Sequence, residues 1–170
     1  MNEIQSMIHD KDMFEGSPNW GDSKNWLYKD LNVHFRVTGE ESNQPVVLVH
    51  GFGASSDHWR NNADIIASEG FRVYGIDLIG FGKSAQTIKG KIKHLDNQIW
   101  AKQLSSFLEE IVDVKKNGKA ILIGNSLGAL TAITTLSNRP ELIKTIIAAP
   151  LPEPIFIYPI KKLFPNWLNK

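Results

Sequence analysis

Four short apolar runs, each continuous rather than alternating with polar residues, constrain the fold of this chain most. They lie at residues 45–51, 71–78, 119–124 and 143–150. A run of this kind is typical of a strand buried on both faces of a parallel sheet. Between the runs, apolar residues recur at helical spacing over 97–114, and again from Ser126 or Leu127 to Leu136. Strands that alternate with helices predict an α/β fold, in which helices flank a mostly parallel sheet.

The remaining segments complete a one-domain organisation. The stretch 26–40 alternates apolar and polar residues and predicts an antiparallel hairpin, with apolar positions at Leu27, Leu31, Val33, Phe35 and Val37. Residues 1–24 are polar and aperiodic and predict a loosely ordered lead-in, whereas 25–150 form the core. Residues 151–170 are apolar and broken by prolines, which predicts the start of a cap or a dangling C-terminal segment.

The composition excludes several functional classes. Nineteen basic and 18 acidic side chains give a net charge of +1, without a charged block that would bind nucleic acid. The absence of cysteine excludes disulfides, thiolate metal sites and thiol nucleophiles. No apolar run approaches the length of a membrane span, and the N-terminus has no secretory h-region. We therefore expect a soluble, cytoplasmic protein.

A serine bracketed by two glycines follows the third apolar run. The motif comprises Gly124, Asn125, Ser126, Leu127 and Gly128, and it opens the second predicted helix. A G-x-S-x-G sequence between a buried strand and a helix is typical of a nucleophile elbow. The small residues let strand and helix approach closely, so that the serine hydroxyl stays exposed. The alternative is an ordinary serine in a tight strand-to-helix turn.

A glycine-rich turn after the first apolar run is the second candidate element of the site. It comprises His50, Gly51, Phe52 and Gly53. In this setting the backbone N–H of Phe52 is the expected loop donor of an oxyanion hole, and that of Leu127 is the other donor. We expect His50 to orient this loop rather than to act as a base. Phosphate binding is less favoured, because the spacing is not G-x-G-x-x-G.

An aspartate at the end of the second apolar run is the third candidate. Asp77 lies in the sequence GIDLIGFGKS, before the serine in chain order. We expect its carboxylate to organise the loop by accepting hydrogen bonds from backbone amides, rather than to serve as the catalytic acid.

Three segments together carry a resemblance. VVLVHGFGASSDHW, YGIDLIGFGKS and LIGNSLGAL resemble the N-terminal half of the α/β-hydrolase family (AB hydrolase-1 type), over about 25–150. They are most similar to a cyanobacterial and plastid branch that includes pheophytinase-like enzymes, which remove the phytyl ester from chlorophyll derivatives. The resemblance implies that Ser126 is the nucleophile, that Phe52 and Leu127 form the oxyanion hole, and that no metal or organic cofactor is needed. Ala129 stands at a position where many members of the family have a third glycine. Serine at the elbow argues against the haloalkane dehalogenase and epoxide hydrolase branches.

The rest of the expected catalytic triad does not follow the serine. In this fold the chain order is Ser, then Asp or Glu, then His. All five histidines precede Ser126, at His9, His34, His50, His58 and His94. The carboxylates that follow it are Glu141 and Glu153. Six strands are predicted where the family has eight. We therefore expect an α/β-hydrolase core truncated after about six of eight strands, with little or no activity by itself.

The predicted function of the parent protein is hydrolysis of a small-molecule hydrophobic carboxylic ester through an acyl-enzyme. Three alternatives remain open. In the first, His94 or His58 acts as the base from an unusual direction. In the second, the chain is a non-catalytic pseudoenzyme or an interaction module, which self-associates through its exposed edge strand. In the third, the reaction is acyl transfer or another serine-hydrolase reaction.

Overall fold

The computed structural model of the protein describes residues 20–86 and 95–149. Its six strands form one sheet in the order β1-β2-β4-β3-β5-β6. The strands are β1 (Asp22–Tyr28), β2 (Leu31–Thr38), β3 (Gln44–Val49), β4 (Phe71–Ile76), β5 (Ala120–Asn125) and β6 (Ile143–Ala149). Strands β3 to β6 are parallel to one another, and β2 runs antiparallel to both of its neighbours. The predicted mostly parallel α/β sheet is confirmed.

Helices cover both faces of the sheet. They are α1 (Ala63–Ser68), α2 (Asn97–Glu110), α3 (Val114–Asn117) and α4 (Leu127–Asn138). Alternate residues of β3 belong to different cores, because successive side chains of a strand point to opposite faces. Val46 and Leu48 pack with Ala63 of α1. Val47 and Val49 belong to the larger core, which contains residues of α2 and α4.

The predicted helix over 97–114 is wrong at its C-terminal end. Helix α2 begins where the Asp96 carboxylate accepts a hydrogen bond from Ile99 N at 3.0 Å, and it ends at Glu110. Asp113 has a left-handed backbone, with φ of 51°, and caps the separate helix α3. A left-handed residue cannot continue an α-helix. The apolar periodicity continued past this break, so it did not reveal the break.

The structure contains the predicted hairpin, but Leu27 lies on its exposed face rather than among its buried apolar positions. Lys29 and Asp30 form the turn with positive φ angles of 49° and 62°. This turn pairs Tyr28 with Leu31 and Trp26 with Val33. Directly opposite residues share a face of the sheet. Trp26 and Tyr28 are therefore buried, whereas Leu27 is 68% exposed.

The boundaries of the described core differ slightly from those expected. Strand β1 begins at Asp22, before the expected core start at 25, and Trp20 is buried against Gly75. The short helix α1 was not predicted. Within the described ranges, no helix has the length and apolarity that crossing a membrane requires. The lead-in up to residue 19, His94, and the expected cap or tail at 151–170 lie outside the described residues.

Candidate active site

Ser126 occupies a strained turn between β5 and α4. Its backbone angles are φ 54° and ψ −114°, which L-residues rarely adopt. The turn is held by a 2.7 Å hydrogen bond from Ser126 N to Ala149 O of the neighbouring strand β6. Ser126 is half-buried, and no described side chain forms a hydrogen bond with its hydroxyl. Its position at the C-terminal edge of a parallel sheet is typical of catalytic residues in open α/β folds.

The glycines around Ser126 are required by close backbone approaches. A Cβ atom on Gly124 would lie 2.6 Å from Gly128 O and from Ala129 N. A Cβ atom on Gly128 would contact Val49 O and would lie 2.6 Å from His50 O. Helix α4 therefore begins in direct contact with both its own strand and the end of β3.

The loop after β3 lies against the elbow. A Cβ atom on Gly51 would be 3.4 Å from both Asn125 O and the Ser126 Cβ atom. Leu127 is the first residue of α4, and the first amides of a helix have no intrahelical partner. The first amides of α4 and the loop that contains Gly51 and Phe52 therefore lie next to Ser126. Gly53, with φ of 72°, turns this loop.

His50 is fully committed to hydrogen bonds within the site. Its Nε2 accepts a hydrogen bond from Leu78 N at 3.0 Å, and its Nδ1 lies 2.7 Å from Gly51 O. With Nε2 as the acceptor, Nδ1 carries the proton and donates it to Gly51 O. Burial lowers the pKa of the His50 imidazole, which favours this neutral ring. His50 thus joins its own loop to the segment that follows β4, and it has no free nitrogen to accept a proton from Ser126.

Asp77 joins three segments of the chain. Its carboxylate accepts hydrogen bonds from Ser56 N at 2.6 Å, Lys83 N at 2.8 Å and His34 Nδ1 at 2.9 Å. Burial alone raises the pKa of this carboxyl, but hydrogen bonds from His34 and from the Lys83 and Ser56 amides outweigh it and lower the pKa to about 2. Asp77 is therefore an ionised acceptor that positions the loops around 55–57 and 80–84.

The depressed pKa of Asp77 predicts a specific pH dependence of stability. A carboxyl whose pKa falls from 3.8 to about 2 on folding contributes about 2 kcal/mol above pH 4. That contribution is lost as the pH falls from about 4 to about 2. We expect the unfolding free energy, measured with urea between about pH 5 and about pH 2, to fall by about 2 kcal/mol less in Asp77→Asn than in the parent. Parallel pH curves for the two proteins would contradict this assignment.

Both ring nitrogens of His34, like those of His50, lie within hydrogen-bond distance of groups other than Ser126. His34 is hydrogen-bonded to Ser23 and Asp77, and His58 is exposed with its ring against Trp59. The expected alternative base His94 lies outside the described residues. Glu141 is exposed and forms an ion pair with Arg139, while Glu153 also lies outside the described part. Over the described ranges, no group of three potential ligands is arranged to hold a metal ion.

Aromatic side chains line the loop side of the site. Phe52 is 49% exposed, and its ring lies 5.3 Å from that of Phe81 between centroids. Phe81 also contacts the rings of His50, at 5.6 Å, and Trp100, at 5.9 Å. Phe81 and Trp100 were missed as site residues, because helix α2 and the loop after β4 meet the Phe52 loop only in the folded chain. We call Phe52, Phe81 and Trp100 the aromatic cluster.

Comparisons with known proteins agree with this geometry. The Hydrolase_4 family model, described as serine aminopeptidase S33, matches residues 40–170. A 2-hydroxy-6-oxononadienedioate/2-hydroxy-6-oxononatrienedioate hydrolase of Burkholderia vietnamiensis is 31% identical over 122 residues, covering 69% of this chain and 39% of the relative. A 2-hydroxy-6-oxo-6-(2'-aminophenyl)hexa-2,4-dienoic acid hydrolase of Metapseudomonas resinovorans is 32% identical over 123 residues, or 68% and 38% of the two chains. The chain thus spans about two fifths of the length of these curated relatives.

Solved structures share the architecture. A thioesterase domain from the curacin biosynthetic pathway superposes with a TM-score of 0.68 at 23% identity, covering 85% of this chain and 53% of that domain. Epoxide hydrolase I of potato (Solanum tuberosum) gives a TM-score of 0.67 at 23% identity, over 75% of this chain and 39% of the enzyme. At such identities the likeness shows a common α/β-hydrolase fold.

Proposed function

This chain belongs to the Hydrolase_4 family of the α/β-hydrolase superfamily, described as serine aminopeptidase S33, and we propose that Ser126 is its acyl-forming nucleophile. The observation that carries the proposal is the strained backbone of Ser126 at the strand-to-helix elbow. Strain at a residue persists only where the surrounding structure imposes it, and such residues cluster at functional sites. The close contacts of Gly51, Gly124 and Gly128 are what impose it here.

The proposed reaction is hydrolysis of a carboxylic ester through an acyl-enzyme. The Ser126 hydroxyl oxygen attacks the ester carbonyl, and the amides of Phe52 and Leu127 donate hydrogen bonds to the oxyanion. The alcohol leaves, and a water molecule releases the acid. The histidine and the acid of the proposed triad come from sequence outside these 170 residues. Both ring nitrogens of His34 and of His50 are engaged by other groups, and His58 is exposed with its ring against Trp59.

For the substrate we propose a hydrophobic ester, as in the pheophytinase-like branch, in a cytoplasmic enzyme. The aromatic cluster supports this choice, because it places apolar surface beside the loop that flanks Ser126. A second candidate substrate is a 2-hydroxy-6-oxo-dienoic acid, which the names of the curated relatives favour. Rates on p-nitrophenyl esters of increasing acyl length and on such a dienoic acid separate the two candidates.

Isolation of the endogenous protein with an antibody against its first 16 residues tests the proposal. We expect an intact mass well above 19.1 kDa and Ser126-specific labelling by a fluorophosphonate probe. A protein that carries Ser126→Ala is the control. Failure of the probe to label Ser126 in the folded protein would contradict its role as the nucleophile.

The 170-residue chain itself is expected to hydrolyse p-nitrophenyl esters no faster than its Ser126→Ala variant. The reason is that a serine without a base is a poor nucleophile. Robust Ser126-dependent turnover by this chain would show that a base lies within it.

The alternative function, a non-catalytic interaction module, is suggested by the exposed edge of the sheet. Strand β6 is an edge of the described sheet, and its Ile147 is 57% exposed. An exposed apolar edge strand can pair with another strand. Self-association at micromolar concentration, or one stoichiometric partner, together with an inactive full-length protein would support that alternative.

A further inference from the structure

Away from Ser126, another serine is connected by hydrogen bonds to a histidine and, through it, to an aspartate. The hydroxyl oxygen of Ser23 lies 2.7 Å from His34 Nε2. The other ring nitrogen, His34 Nδ1, lies 2.9 Å from Asp77 Oδ2. The order nucleophile, base and orienting carboxylate, with both links at hydrogen-bond distance, is the geometry that activates a serine.

Strand register brings these three residues together. In the β1–β2 pair, Ser23 is opposite Arg36 and Asn25 is opposite His34, so Ser23 is the diagonal neighbour of His34 on one face of the sheet. On the other side of β2, Asp77 N donates a 3.0 Å hydrogen bond to His34 O. The His34 ring thus lies between the edge strand and the end of β4.

For a neutral His34 ring, the hydrogen bonds define which atom carries each proton. The ionised Asp77 carboxylate can only accept, so His34 Nδ1 donates to it. In the neutral ring Nε2 is then an acceptor, and the Ser23 hydroxyl donates to it. Lys83 N and Ser56 N also donate to the Asp77 carboxylate, which holds it in place.

Burial separates the roles of the three residues. His34 and Asp77 are 2% and 1% exposed, whereas Ser23 lies on the surface of edge strand β1. A reagent can therefore reach the hydroxyl, while the imidazole and the carboxylate are kept from water. The guanidinium of Arg36, opposite Ser23, adds positive charge on the same face, although it also binds Asp57 at 2.8 Å.

We propose that Ser23 is a second acyl-accepting serine, which takes a small acyl group from an activated ester. The Ser23 oxygen forms a bond to the acyl carbon as the bond from that carbon to the leaving oxygen breaks. The Ser23 proton passes to His34 Nε2 and then to the departing oxygen. The products are O-acyl-Ser23 and a free alcohol or phenol, with no oxidant or cofactor involved.

The chain contains a matched control for this reactivity. Ser68 is also exposed, but its hydroxyl donates to Ile65 O at 2.8 Å and has no imidazole partner. Comparing the two serines within one molecule removes differences in concentration, folding and reagent. The Ser126→Ala background removes the proposed nucleophile of the main site, so the result is independent of the proposed function.

The experiment treats the Ser126→Ala chain with p-nitrophenyl acetate and measures acetylation of the Ser23 and Ser68 peptides by mass spectrometry. General-base assistance typically contributes a factor of 10² or more, so we expect Ser23 to react at least about tenfold faster than Ser68. In a folded His34→Gln variant, checked by circular dichroism, the rate at Ser23 should fall to that at Ser68. Equal rates in the Ser126→Ala chain would overturn the proposal even if His34→Gln does not fold, and so would an unchanged rate in folded His34→Gln.

Discussion

Replacement of Ser126 by glycine is expected to abolish hydrolysis by the whole enzyme while stabilising its fold. If Ser126 is the nucleophile, as proposed, its loss should lower kcat/KM by at least about four orders of magnitude. The backbone of Ser126, at φ 54° and ψ −114°, costs an L-residue about 1–3 kcal/mol, which glycine largely avoids. Ester turnover and urea unfolding of the same preparations measure the two effects.

The Ser126→Ala variant separates chemistry from strain. Alanine removes the hydroxyl but keeps the Cβ atom, so this variant should be as inactive as Ser126→Gly and should lack its gain in stability. The unfolding free energy of Ser126→Gly is expected to exceed that of Ser126→Ala by about 1–2 kcal/mol, after the entropic cost of glycine in the unfolded chain. Equal stability of the two variants would show that the elbow is not strained.

The second large effect is expected from Gly128→Ala. Gly128 lies in the first turn of α4, where helix propensity alone favours alanine by about 1 kcal/mol. The added methyl group, however, would collide with Val49 O and with His50 O, 2.6 Å away. These are backbone atoms of a buried strand and its following residue, so they cannot rotate aside as a side chain can. We expect a net loss of about 3 kcal/mol in the free energy of unfolding.

The same substitution should also impair catalysis by the whole enzyme. Moving α4 away from β3 would displace the Leu127 amide from the loop of Phe52, and loss of one oxyanion donor typically lowers kcat by about 10²–10³. Gly53→Ala is the control for stability: its φ of 72° is unfavourable for alanine, but no atom lies within 4 Å of the added methyl. It should cost only about 1–2 kcal/mol. A smaller loss for Gly128→Ala than for Gly53→Ala would contradict the steric explanation.

Much of the fold was predictable because it depends on local patterns. The four parallel strands and helix α4 follow from apolar runs and helical spacing, and both are properties of neighbouring residues. The errors arose where one backbone conformation decided the outcome. Where one continuous helix was predicted, the left-handed Asp113 separates α2 from α3, and the turn at Lys29 and Asp30 places Leu27 on the exposed face.

The segments that form the candidate site were predictable from the sequence, but the side-chain contacts between these segments were not. From the sequence alone came the elbow at Ser126, the loop at 50–53 and the absence of any histidine after the serine. The occupation of both His50 nitrogens, and the aromatic cluster, became visible only in the folded chain.

By itself the sequence determined the order of strands and helices and the position of Ser126, the proposed nucleophile, between them, because hydrophobic periodicity and glycine spacing act over a few residues. Only the tertiary structure decided that Ser23, His34 and Asp77 meet. These residues are separated by 11 and 43 positions, and no local pattern relates them. Their contact depends on the register of β1 against β2 and on the placement of β2 beside β4, and register is set by how whole strands pack.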